Sequence, residues 1–190
     1  MQEPPRCVSV KARPSAGEEQ IGGAVQHSDA QVTAAYHAAG RGVAGVLRGW
    51  TEGFIEPTVE AVGPAWPTVT ESSRPFVAYA GVWATARRHG DLAGEPGVSD
   101  RRLTEAMCAH PGDATIVGAA QLEVASVLRA AGAADEWGWL AGVGTAWRAE
   151  LEQMWPVVQH VAVLLIAGRC VSAARVRRLT DDRLVGGLAI

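Results

Sequence analysis

The chain has 190 residues, 48% of them apolar and 19% charged, with a formal net charge of −3 and a pI near 5.9. That length suits one domain with a core of its own, without disulfide or metal staples. The composition excludes a disordered chain or a membrane protein, and the acidic balance argues against the basic face that nucleic-acid binding requires.

Cys7, Cys108 and Cys170 are odd in number and include no Cys-x-x-Cys pair, so they read as reduced thiols of a cytoplasmic protein. The N-terminus has no apolar core of a secretory signal, and the most apolar run, 157–168, is too short to span a bilayer and contains His160. Of 17 lysines and arginines only Lys11 is a lysine, a composition expected of a GC-rich genome. The densest basic cluster, SAARVRRL around Arg178, runs directly into Asp181 and Asp182 and reads as a solvated helix end.

Taken in order, residues 1–28 form an aperiodic arm rich in Pro, Gly, Glu and Gln, and 29–190 form one domain. The spacing of Val32, Tyr36, Val43, Val46 and Leu47 predicts a helix over 29–48, with Asp29 as N-cap. Gly40, Gly42 and Gly45 lie inside it, each costing about 1 kcal/mol against alanine, so a close approach by another element is expected there. Phe54, Ile55, Val59 and Val62, broken by prolines, predict short edge strands. Glu52, Glu56 and Glu60 would share one solvated face of such a strand. A second helix starts at Ser72 or Ser73, carries Phe76, Tyr79, Ala80, Trp83 and Ala86, and ends at Gly90. A third runs from Ser99 or Asp100 to His110, a fourth from Asp113 to about Ala131, and a fifth from about Gly144 to Ala167 across Pro156. Gly168 stops the fifth, and Ser172 caps a short last helix. The tryptophans fall mostly at core positions, with Trp137 and Trp139 as possible pocket residues. The expected fold is α+β and predominantly helical, with a small β element after the first helix.

The stretch AAYHAAGRGVAGVLRG resembles the zinc-site helix of the metallopeptidase domain of FtsH-type proteases, whose pattern is roughly Tyr-His-Glu-Ala-Gly-His-Ala-Val. Tyr36, His37, Ala39, Gly40 and Val43 match it, FVAYAGVWATARRHG resembles the family's later apolar helix, and the C-terminal helices of stand-alone members resemble 151–179. The resemblance spans roughly 30–180 and implies a zincin-like fold. It also implies that His37, position 41 and an aspartate heading a later helix, here Asp113, would be the metal ligands.

The departures decide what such a site can do. Histidines four apart project together from one helix face, and the glutamate after the first activates the metal-bound water. Here Ala38 stands at the glutamate and Arg41 at the second histidine. A guanidinium has no lone pair and keeps its charge, so zinc is not expected, and Arg41 is expected to occupy the metal position and pair with Asp113. A substitute site from His37, Cys108, His110 and Asp113 lacks a recognised zinc spacing.

The expected function is a zinc-peptidase-like binding or scaffold protein without proteolytic activity. It would need no metal or cofactor, and would hold a peptide, a protein partner or a small organic molecule in the former cleft. The alternative is a metal-independent enzyme of a specialised-metabolite pathway. In it His37 acts as acid/base and Arg41 as anion clamp, with Tyr36 and Asp113 in support. Neither nucleic acid nor membrane is an expected partner.

Overall fold

A computed structural model describes residues 27–57 and 67–186. The expected arm and the positions Val59, Glu60 and Val62 lie outside the described residues, apart from the last two residues of the arm. The elements in order are α1 (Asp29–Leu47), β1 (Phe54–Ile55), a 3-10 turn (Glu71–Ser73), α2 (Arg74–Leu92), α3 (Asp100–Ala109), α4 (Pro111–Ala130), α5 (Glu136–Ile166), β2 (Val171–Ser172) and α6 (Ala173–Gly186). The expected helix-dominated α+β class is therefore observed. The only sheet among these residues is the antiparallel pair β1–β2, with Phe54 opposite Ser172 and Ile55 opposite Val171.

Helix α1 begins at Asp29 as expected, but its cap lies one residue earlier. Ser28, not Asp29, is the N-cap, and its side chain and that of Gln31 bond reciprocally to each other's backbone N–H. Asp29 instead reaches Arg88 of α2 at 2.7 Å. After Leu47 the chain turns through Gly49, whose φ of +91° is one that side chains other than glycine's rarely adopt. Helix α5 starts eight residues before the expected Gly144, capped by Asp135 onto Gly138 N–H. Its first two turns contain too many glycines and alanines to show a periodic stripe.

The middle of the molecule is α1, packed chiefly on α2 and α5, with α6 closing one side and α3 and α4 lying on α2. Residues 37–46 of α1 are buried without interruption, so this helix is enclosed all round instead of amphipathic. Trp83, Phe76, Leu151, Met154 and Val43 are fully buried, each stabilising the fold by about 1.5–3 kcal/mol relative to exposure. The α1 glycines are needed for this enclosure. A Cβ on Gly40 would lie 2.4 Å from the Ala80 carbonyl oxygen, and one on Gly42 would overlap the Ile55 side chain. At Gly45 it would meet Pro67. The expected close approach is thus backbone against backbone at Gly40, and side chain against backbone at the other two.

Gly40→Ala is expected to destabilise the protein by about 1–3 kcal/mol, because the neighbouring carbonyl cannot move aside, despite alanine's better helix propensity. Gly118→Ala, in α4 with nothing within 4 Å of the added methyl, should instead be neutral or stabilise by up to about 1 kcal/mol. Urea unfolding of the two variants beside wild type checks the opposite signs.

Candidate functional site

His37 projects from the middle of α1 and Asp113 from the first turn of α4, 76 residues apart in sequence. They meet with His37 Nε2 2.7 Å from Asp113 Oδ2, and their side chains are only 8% and 7% exposed. A carboxylate oxygen only accepts, so Nε2 is the protonated nitrogen and donates. Gly81 of α2 makes the seat for the ring, since a Cβ there would come within 2.7 Å of Nε2 and 2.8 Å of Arg41 Cγ. Asp113 is therefore not the N-cap of α4. That position belongs to His110, and the aspartate's charge is spent on a partner in another helix.

His110 links α3 to α4, serving as the C-cap of one and the N-cap of the other. Its ring stacks on that of His37 with centroids 4.0 Å apart and planes at 14°. Its Nε2 lies 3.5 Å from the hydroxyl of Thr85, which also donates to the Gly81 carbonyl at 3.3 Å. Burial, followed by the nearby His37, pulls the pKa of His110 down to about 4. Asp113 acts the other way, while Arg41 and His89 add to the lowering. Thr85, 1% exposed, has no motif of its own in the sequence, where its i+4 relation to Gly81 is the signal that places it beside the site.

Arg41 lies one turn along α1 from His37 and is 5% exposed. Burial lowers its basicity, Asp113 opposes that, and Arg74 reinforces it. The expected paired contact between Arg41 and Asp113 is not among the ion pairs of the described residues. His37 takes the carboxylate oxygen instead, and Asp113 reaches Arg41 only through its field. The reason is geometric. With Gly81 opening α2 at this level, the imidazole fits directly between α1 and α4, within hydrogen-bond reach of the carboxylate.

Tyr36 is not part of the cluster. Adjacent helix positions point about 100° apart, and its ring lies 5.6 Å from Trp155 with the Arg88 guanidinium 5.7 Å away. Cys108 is exposed, and among the described residues no three His, Cys, Asp or Glu side chains form a metal-binding group. The fit to zinc fails on the donors themselves. Of the three expected ligands, His37 and Asp113 are bonded to each other at 2.7 Å, and Arg41 has no lone pair to offer as a third.

No protein-family model, curated protein or solved structure matches this chain. No helix among the described residues is long and apolar enough to cross a membrane.

The site gives stability a pH dependence of known sign. His110 binds its proton less readily folded, at about 4, than at its ordinary 6.5. The unfolded chain therefore takes up more protons between those values, and stability is full above about pH 6.5 and falls towards pH 4. His110→Phe keeps a stacked ring without the titration, so its acid-side decline should be shallower than wild type's. NMR titration of the His110 ring and unfolding curves across that range provide the check. Separately, Asp113→Ala, which strands the His37 donor in the core, should cost about 1–3 kcal/mol. Circular dichroism during denaturation measures it.

Proposed function

We propose that this chain is a zinc-peptidase-like protein without proteolytic activity, which serves as a binding or scaffold protein. The observation that carries the reading is the direct bond between His37 and Asp113. In the family the helix resembles, these two residues would face a metal. Here they face each other, with Arg41 at the remaining ligand position and Ala38 at the general base. A hydrolytic water would lack the second histidine that helps to hold the ion and the glutamate that takes its proton. A polar cluster this well enclosed supports a structural part for the three residues, leaving recognition of a peptide or protein partner to the surface.

The same dyad favours a second reading. A histidine oriented by an aspartate beside a guanidinium is half of an acid–base arrangement on a small organic substrate. Low exposure of both members weighs against it. Under the first reading His37→Ala leaves partner binding nearly intact. Under the second it lowers turnover by about 10²–10⁴-fold.

Reversing the departures tests the resemblance itself. Arg41→His combined with Ala38→Glu restores both missing groups, and the double variant should bind about one zinc per chain by analogy with His₂-carboxylate sites. Arg41→His alone should bind zinc without hydrolysing an unfolded polypeptide such as denatured casein. A folded double variant that takes up no zinc would remove the basis for the peptidase-like reading.

A further inference from the structure

Beyond the polar cluster, the outer end of the α4–α5 hairpin has surface that its own chain does not cover. After Val117, α4 buries only Ala125, and α5 buries no residue before Leu151. Leu122 is 68% exposed, Val127 64%, Trp137 64% and Trp139 51%. From Trp137 to Ala149 the one charged residue is Arg148, which is paired with Asp100 at 2.6 Å. Positions 137 and 139 point about 200° apart around the helix. The apolar surface therefore wraps the hairpin end instead of forming one stripe, and a helix apolar all round is normally enclosed.

We propose that this hairpin end is an interface with a second copy of the same chain, two hairpins packing into a four-helix arrangement. Area supports it. At about 250 Å² per tryptophan, the two exposed fractions amount to about 300 Å², and Leu122 with Val127 bring the side-chain surface to about 500 Å² per chain. Where the partner hairpin clasps both sides of α5, two such ends supply about 1,000 Å², the area a specific interface has to clear. Charges on the hairpin end are few: Arg129 is bonded to Glu136 at 2.9 Å, which leaves Glu123 and Asp135 at its rim. A self-complementary patch is what a two-fold dimer uses.

Other occupants fit less well. A lipid surface favours tryptophan rimmed by lysine and arginine, while the other exposed charges of the hairpin, Glu123 and Asp135, are acidic.

Sedimentation of the full chain over the micromolar range tests the proposal, with the Trp137→Glu/Trp139→Glu double variant beside it. Wild type is expected to reach at least twice the monomer mass, and the folded double variant to stay monomeric. Hydrogen exchange of wild type at low and high concentration reads the same surface without substitution, and should show added protection confined to 118–146. A monomeric wild type throughout would overturn the proposal, as would a double variant of unchanged mass or concentration-dependent protection elsewhere. So would a monomer that floats with neutral phosphatidylcholine vesicles through these tryptophans.

Discussion

Two missing methyl groups set the distance between α1 and α2. Gly40 leaves room for the Ala80 carbonyl, and Gly81 leaves room for the His37 ring and the Arg41 stem. With the helices this close, α1 is enclosed along residues 37–46, and whatever polar groups it carries must find partners inside the protein. The position of the glycines thus governs both the packing and the chemistry of the centre. A side chain at either position would push the helices apart, and the imidazole would lose the geometry that brings it to Asp113.

Enclosing these groups is costly. A buried polar group without a partner loses roughly 1–3 kcal/mol, and a buried charge more. His37 and Asp113 offset that cost for each other, and the hydrogen bond spans α1 and α4, which otherwise meet through α2. His110 joins by stacking, and burial, followed by the neighbouring His37, holds its pKa down. Three helices are consequently tied at one polar point inside an apolar core. Such a tie cross-links α1 and α4 at the level of the Gly81 seat.

Much of this was legible in the sequence, for identifiable reasons. The α2 start at Ser73–Pro75, the Ser99 cap of α3 and the Ser172 cap of α6 follow from side-chain and backbone chemistry within a few residues, which a single sequence displays directly. The glycines of α1 announced a close approach, though not which element would make it. Partners distant in sequence were harder. Asp113 could be marked as a site residue, but whether it would meet His37 or Arg41 depended on the Gly81 seat. Tyr36 stood within the matching motif, yet the helical rotation carries it to Trp155. The first turns of α5 were hidden because small residues blur the periodicity, and Trp137 and Trp139, set apart from the core tryptophans as pocket residues, lie exposed there. Strand β2 was hidden too, because two residues carry no pattern of their own and pair only because β1 lies alongside.

Imidazole nitrogen NMR of the wild-type protein tests the central claim most directly. The account predicts a proton on His37 Nε2 that is shifted far downfield and exchanges slowly with water, and that disappears in Asp113→Ala. A His37 ring that exchanges freely, keeps the same spectrum without Asp113, and shifts on stoichiometric zinc would contradict it.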